Sequence, residues 1–171
     1  MQKIKGGVTA AKGFEAAAAA AGIKYQDRAD MALIYSEKPC KVAGAFTTNL
    51  VKAAPVKWDR NVVDSGMKSQ AVIVNSGIAN ACTGEEGMNY CKETAKEAEM
   101  VLGVDARSVL VGSTGVIGMQ LPMDRVKDGI RKLADAKKSD LESGTLAAQA
   151  IMTTDTKKKE VAVTVEIGDV T

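Results

Sequence analysis

The feature that most constrains the fold of this 171-residue chain is a short apolar run at 108–112 that leads directly into a glycine-rich turn at 112–118. The run predicts a buried strand, and the turn that follows is rich in backbone N–H groups and small hydroxyls. Three glycines in seven residues allow positive φ values and close approach to a ligand. A turn of this kind at the end of a strand can hold a developing oxyanion.

The sequence contains no histidine, and this limits the chemistry available at the turn. Ser-His-Asp and Cys-His sites cannot be built from this chain alone. Any acyl transfer here therefore needs a base other than imidazole.

Composition indicates a globular chain of one domain, 1–171, or the larger part of one. The sequence is 46% hydrophobic and 26% charged, which is enough to enclose a core. The net charge is only +2 and the few aromatic residues are scattered, so nucleic acid is not an expected partner. No apolar stretch is long enough to span a membrane.

The three cysteines, Cys40, Cys82 and Cys91, have neither the spacing of a zinc site nor that of a disulfide framework. We expect no metal, no cofactor and a reducing, cytoplasmic compartment. Cys82 is expected to be a small buried residue rather than a nucleophile.

Hydrophobic patterns predict an alternation of strands and helices. Strands are expected at 31–35 and 42–48, joined as a hairpin through 36–39, and at 70–74, 108–112 and 160–167. Helices are expected at 88–102, 122–133 and 140–152, with Gly103 ending the first of them. The alanine-rich segment 16–21 fits helix by propensity, but its flanking glycines leave the assignment open.

This order of elements predicts the α/β class, with mixed sheets and packed helices. The polar segment 52–61 is interpreted as closing the first layer. The alternation that begins at Glu160 is still in progress where the sequence stops, and the chain is expected to be part of something longer, with an unfinished sheet edge and apolar surface.

Two further polar loops follow predicted elements. Residues 75–84 form the first, in which Asn75 and Asn80 are expected to cap turns and Thr83 to cap the helix beyond. The second, 153–157, carries three hydroxyls, a carboxylate and an ammonium. Loops at strand ends often form sites in α/β proteins. Taken alone, however, the turn at 112–118 and the residues of 75–84 are better explained as simple connections, and 153–157 is also explained as a plain exit loop.

Taken together, seven segments in order resemble the bifunctional ornithine acetyltransferase (glutamate N-acetyltransferase) family of arginine biosynthesis. They are GIK at 22–24, DMALI at 30–34, AGAFTTN at 43–49, AAPV at 53–56, NSGIANACTG at 75–84, GSTGVIG at 112–118 and IMTTDT at 151–156. The resemblance implies an α/β sandwich of the aminopeptidase and ornithine acetyltransferase type.

The resemblance also implies a function. The chain would be the α chain of a precursor that cuts itself ahead of a threonine, and that threonine, first residue of the β chain, would carry acetyl from N-acetylornithine to glutamate. Some members also use acetyl-CoA. Thr114 and Gly115 match the oxyanion-hole pair of the family, and Thr153 matches a substrate-contacting position. The implied assembly is an α2β2 heterotetramer.

The sequence departs from the family pattern at its end. A glycine-rich segment with a substrate-binding lysine and the cleavage site should follow the last strand, and neither is present before Thr171. The nucleophile is therefore not on this chain, which is expected to be inactive alone. Two alternatives remain open: a non-catalytic binding or scaffold module, and a self-processing aminopeptidase-like hydrolase.

Overall fold

A mixed β-sheet with helices on both faces forms the centre of the protein, which a computed structural model describes over residues 1–168. The strands are β1 (Gln2–Ile4), β2 (Phe14–Ala19), β3 (Met31–Cys40), β4 (Ser69–Ile78), β5 (Leu110–Val116) and β6 (Ala162–Thr164), and the α-helices are α1 (Ala54–Asp64), α2 (Glu86–Leu102), α3 (Met123–Ala136) and α4 (Leu141–Ala150). The predicted α/β class with mixed sheets and packed helices is confirmed.

The central sheet has the strand order β2-β3-β4-β5. Neighbours β2, β3 and β4 are antiparallel, whereas β4 and β5 are parallel and are joined by a crossover that includes α2. Parallel neighbours end at the same edge of a sheet, so the loops after β4 and β5 lie side by side. The short strands β1 and β6 pair antiparallel in a separate sheet.

The main core lies between one face of the sheet and helices α2 and α3. Leu33 and Ile73, on adjacent strands, are fully buried there with Ile130 and Leu133 of α3. The opposite face is covered by α4 over β2 and β3, through contacts among small residues: Ala16, Ala32, Ala147 and Ala150. None of the helices within residues 1–168 combines the length and the apolar character needed to cross a bilayer.

The alanine-rich segment is a strand rather than a helix. Its side chains alternate between the two faces of the sheet, Ala16 towards α4 and Ala17 towards α3. The outer edge of β2 is paired with Lys138 through two backbone hydrogen bonds at Ala16. Tertiary packing between two layers of helix therefore overrides the helical propensity of alanine.

The predicted hairpin is wrong. β3 continues through its supposed turn to Cys40, and residues 42–48 form no strand. The register against β4 shifts between Tyr35 and Cys40, so the turn-forming residues 36–39 produce an irregularity within one strand. There the Ser36 hydroxyl donates to the Lys38 carbonyl at 2.7 Å.

Helix α1 occupies much of the segment interpreted as a closing loop, and it covers the outer edge of β5. Trp58 Nε1 donates to the Val109 carbonyl at 2.8 Å, and Asp59 Oδ1 accepts from the Val111 N–H at 2.9 Å. These two side chains take the place of a further strand, which protects an edge otherwise open to pairing.

The strand predicted at 160–167 is real but shorter, since β6 covers only Ala162–Thr164 and its partner is β1 at the amino terminus. Its apolar side chains are exposed; they are Val161, Val163, Val165 and Ile167. The expected continuation into 169–171 lies outside the described residues.

Candidate active site

The predicted boundary between strand and turn is wrong: Ser108 lies in a short 3₁₀ helix and β5 continues to Val116, so residues 112–116 of the glycine-rich segment are strand. This segment, which we continue to call the turn, ends at the shared carboxyl edge of β4 and β5. The parallel register pairs Ser76 with Thr114 and Gly77 with Gly115. Two of the loops singled out in the sequence, 75–84 and 112–118, are therefore direct neighbours. The structure thus joins two motifs that are separated by 27 residues in the chain.

Gly115 and Gly77 lie in close backbone contact at this edge. Both have positive φ, +133° and +101°. A Cβ built on Gly115 would lie 2.3 Å from both the carbonyl carbon and the oxygen of Gly77 and 2.8 Å from the backbone nitrogen of Ile78. Glycine is required at position 115 both by φ and by this contact.

Hydrogen bonds between the two loops fix the shape of the turn. The Ala79 N–H donates to the Val116 carbonyl and the Gly118 N–H to the Ala81 carbonyl, both at 2.8 Å. The Asn80 N–H donates to Ser113 Oγ, also at 2.8 Å. Because the Ser113 hydroxyl before Gly115 and the backbone groups of Val116 and Gly118 after it are all bound, the direction of the Gly115 N–H is set before any ligand arrives.

Asn80 is the buried centre of the first loop. Its Nδ2 donates to the Gly87 carbonyl at 2.9 Å, and its Oδ1 accepts from the Thr83 hydroxyl at 2.7 Å. The expectation that Thr83 caps α2 is wrong: the cap position is Glu85, and no side chain caps there. Asn80 and Thr83 instead join the loop to the first turn of the helix.

The expectation that Cys82 is buried is wrong. Cys82 is exposed and has a φ of +57°, because the chain reverses at this point after β4. Cys91 is the buried one, packed against Val111. Burial, together with the charge of the nearby Asp59, raises the pKa of the Cys91 thiol to about 12, although Asn80 donates to it. Cys91 therefore stays protonated.

Asp59 is a polar group that the sequence did not single out as functional. Burial raises the pKa of its carboxyl to about 6, and the hydrogen bond from the Val111 N–H offsets only part of this. The carboxyl contacts β5 at Val111, which is four residues before Gly115. Its role is to hold α1 against the edge strand.

Thr114 and Thr153 approach the same end of the sheet from different elements. Thr114 is half-buried, and its register partner Ser76 donates through Oγ to the Ala150 carbonyl at 2.7 Å. This bond ties the end of α4, and so the loop bearing Thr153, to the strand beside the turn. Thr153 lines a cavity of about 370 Å³ with Asp155 and Arg28, but Thr114 and Gly115 do not line it.

A second cavity, of about 590 Å³, opens beside the turn and has Ile117 and Cys82 in its wall. Lys52, just before α1, and Lys57, in its first turns, also line this cavity. The turn therefore contributes Ile117 to the cavity on the α1 side, whereas the cavity near the end of α4 is lined by Thr153 and not by the turn.

These features define an α/β protein whose candidate site is a donor-rich turn at the ends of two parallel strands. The chain belongs to the ArgJ family, whose model matches residues 15–171. This confirms the resemblance stated from the sequence.

Relatives and solved structures agree with this assignment. The arginine biosynthesis bifunctional protein ArgJ of Symbiobacterium thermophilum is 51% identical over all of this chain and 42% of its own length. That of Gloeobacter violaceus is 49% identical over 96% of this chain and 40% of its own length. The chain thus spans about two fifths of these curated relatives.

Two crystal structures are similar to the fold. Ornithine acetyltransferase of Mycobacterium tuberculosis, solved in complex with ornithine, has a TM-score of 0.87 and 44% identity over 91% of this chain and 84% of that chain. The ArgJ protein of Bacillus halodurans has a TM-score of 0.85 and 40% identity over 91% of this chain and 80% of that chain.

Proposed function

We propose that this chain is the α chain of a self-processing N-acetyltransferase that moves an acetyl group from N-acetylornithine to glutamate. Its part is to supply the oxyanion hole, from the Thr114 hydroxyl and the Gly115 N–H, and a substrate contact at Thr153. The nucleophile is the amino-terminal threonine of a β chain. The observation that carries this proposal is the rigid turn at Gly115, in a protein of the ArgJ family.

The direction of the Gly115 N–H supports the role of oxyanion donor. Backbone groups of a strand alternate in direction, and α1 binds the Val109 carbonyl and the Val111 N–H at the outer edge of β5. The same alternation puts the N–H groups of Ser113 and Gly115 on that outer edge. Within residues 1–168, β5 is the last strand of the sheet, so a donor on this edge is not used by a neighbouring strand.

The proposed chemistry balances without histidine. The β-chain threonine Oγ attacks the acetyl carbonyl carbon while its proton moves to that residue's own α-amine. The negative charge on the former carbonyl oxygen is stabilised by Thr114 and Gly115, and the C–N bond then breaks as ornithine leaves with the proton. The glutamate amine attacks the resulting threonine ester, which releases N-acetylglutamate and restores the hydroxyl.

Exposed apolar surface supports the requirement for a β chain. Val163 and Ile167 are 44% and 76% exposed, and α4 packs mainly over β2 and β3. Val74 of β4 and Gly112 of β5 lie on that incompletely covered face. Apolar surface of this kind is typical of an interface that a partner completes.

The remaining parts of the proposal follow from the family resemblance. Residues 1–171 form one domain that is incomplete without the β chain, and two copies of each chain make an α2β2 heterotetramer. The proposal includes acetyl-CoA as a second donor of the acetyl group. Free cysteines at positions 40, 82 and 91 fit a cytoplasmic location.

The proposed function is tested with the complete enzyme, in which this chain is paired with its β chain. N-acetylornithine and glutamate are mixed with the enzyme, and mass spectrometry follows N-acetylglutamate and the acetylated β-chain threonine. Both products are expected, together with free ornithine. Release of acetate in place of N-acetylglutamate would instead support the hydrolase, and no turnover of any acetylated amino acid would support the scaffold.

A further inference from the structure

Arg28 holds the loop that carries Thr153. Its Nη2 donates a 2.5 Å hydrogen bond to the carbonyl oxygen of Met152, the residue before Thr153. Carbonyl groups after the last turn of a helix lack partners within the helix, and a cation there also suits the negative end of the helix dipole. A side chain 124 residues distant in sequence therefore determines where the loop after α4 lies.

The same guanidinium lies on an aromatic ring. Arg28 Cζ is 4.6 Å from the centroid of the Tyr25 ring, within the range of a cation–π contact. Both residues are half-buried, in the connection between β2 and β3. Arginine alone combines a flat stacking surface with a directed donor, so lysine is an incomplete substitute.

The Tyr25 ring in turn contacts the strand beneath the turn. A Cβ built on Gly77 would lie 3.2 Å from Tyr25 Cε2 and 2.9 Å from the Cβ of Lys24. Gly77 is the residue whose carbonyl group packs against Gly115. A continuous series of contacts thus runs from the carbonyl beside Thr153, through Arg28 and Tyr25, to the backbone of the turn.

We propose that Arg28 and Tyr25 form a bridge that positions the substrate-contacting loop at Thr153 relative to the oxyanion turn at Gly115. The bridge rests on the proposed function. Both are positioning residues, since neither is assigned a contact with the reacting atoms. The bridge fixes the Thr153 loop before substrate arrives, so the contact at Thr153 forms without the cost of ordering the loop, in the bound substrate and in the transition state alike.

The bridge is tested by steady-state kinetics of the complete enzyme. Arg28→Met keeps the length and apolar contact of the side chain but removes the donor. It is expected to raise KM for N-acetylornithine roughly tenfold with less than about a threefold change in kcat, because the lost contact acts on bound substrate and transition state alike. Arg28→Lys is expected to recover part of the loss.

Tyrosine variants test the second half of the bridge. Tyr25→Leu is expected to raise KM as Arg28→Met does, whereas Tyr25→Phe, which keeps the ring, is expected to behave as wild type. Because the pair acts as a unit, the Arg28→Met and Tyr25→Leu double variant is expected to be no worse than the more affected single variant.

The matched control is Arg125, which donates from Nη1 to the Gly22 carbonyl and so makes the same kind of contact outside the bridge. Arg125→Met is expected to leave both kinetic constants within about twofold of wild type, as is usual for surface substitutions. Equal KM changes in Arg125→Met and Arg28→Met would overturn the bridge.

A readout independent of activity separates this inference from the proposed function. Trypsin is expected to cut Arg28→Met faster than wild type at the exposed Lys157, because the loop after Met152 has lost its anchor. Unchanged cleavage together with unchanged KM would overturn the bridge. Faster cleavage in an enzyme whose wild type transfers no acetyl group would support the anchor and overturn the proposed function.

Discussion

Gly115 lies so close to Gly77 that a Cβ on the former would be 2.3 Å from the carbonyl oxygen of the latter. The two residues face each other in adjacent parallel strands, and both adopt positive φ. The conformation of the turn is therefore imposed by the neighbouring strand. This relationship makes the turn rigid, which an oxyanion site requires, since donors that need no reorganisation stabilise charge most effectively.

Replacing Gly115 by alanine is expected to displace the turn. The added Cβ overlaps backbone atoms, which cannot move aside as the end of a flexible side chain can. We expect Gly115→Ala to lower kcat by roughly 10²-fold in the complete enzyme, the effect of a displacement near 1 Å. The measurement is acetyl transfer at saturating N-acetylornithine.

Gly118→Ala is the control for this substitution. Gly118 also has positive φ, +80°, but nothing lies within 4 Å of a Cβ built there. We therefore expect Gly118→Ala to lower the free energy of unfolding by about 1 kcal/mol through backbone strain and to keep kcat within about threefold of wild type. Equal kcat values for the two variants would show that the contact with Gly77 does not set the geometry.

Asp59 is expected to make stability depend on pH. Its pKa is raised from 3.8 to about 6, mainly by burial, so the folded state binds the proton more tightly than the unfolded state. The free energy of unfolding therefore falls as pH rises from about 4 to about 6, and the penalty is complete above that range. Asp59→Asn keeps an acceptor for the Val111 N–H and removes the charge.

We expect Asp59→Asn to flatten this pH dependence and to stabilise the protein above pH 6. Two pKa units correspond to about 3 kcal/mol, but solvent screening of this partly exposed group reduces the gain to about 1 kcal/mol. Urea unfolding between pH 4 and 8 measures this change in the free energy of unfolding. The control is Asp64→Asn, at an exposed position of the same helix. A destabilised Asp59→Asn at pH 8 would contradict the assignment.

Asn80 is expected to be the most sensitive polar residue of the loop after β4. Asn80→Ala leaves the Gly87 carbonyl and the Thr83 hydroxyl without their partner, and both lie in a buried region. The expected cost is about 2–3 kcal/mol in the free energy of unfolding, against about 1 kcal/mol for Thr83→Ala, which removes a single bond.

The matched control for Asn80 is the exposed Asn61. The free energy of unfolding of Asn61→Ala is expected to lie within about 0.5 kcal/mol of the wild-type value, as for most surface substitutions. Denaturant unfolding of the three variants gives the ranking. If Asn80→Ala were no more destabilising than Asn61→Ala, the hydrogen bonds of Asn80 would not be what holds the loop to α2.

Elements with strong local patterns were predictable from the sequence. Helix α2 has apolar residues at helical spacing and ends at Gly103, whose φ of +68° and N–H bond to the Glu99 carbonyl form the expected cap. The strand at 70–74 lies within β4. In each case local propensity and burial favour the same structure.

Other elements depend on partners that a local pattern does not reveal. The alanines of β2 form a strand because helices approach both faces closely: a Cβ on Gly129 of α3 would lie 2.3 Å from Met31 Sδ. The turn-like residues 36–39 form an irregularity within β3, because β4 pairs with β3 both before them, at Tyr35, and after them, at Cys40. Neither the length of a strand nor its partner is encoded locally.

Helix α1 did carry a readable signal. Ala54, Trp58 and Val62 recur at a spacing of four, and Pro55 lies in the first turn, a favoured position for proline. At the candidate site, the adjacency of Gly77 and Gly115 could not be predicted, because it depends on the register of two strands separated by a crossover. The residues of the turn were visible in the sequence, and their geometry was not.

The most direct test of the account is kcat for acetyl transfer by Thr114→Ala, with Thr114→Ser as the variant that keeps a hydroxyl. In the complete enzyme, Thr114→Ala is expected to lower kcat by roughly 10²- to 10³-fold with little change in KM, and to slow self-cleavage of the precursor as well. Thr114→Ser is expected to recover most of both rates. Unchanged rates of transfer and self-cleavage in Thr114→Ala would contradict the assignment of this turn as the oxyanion hole.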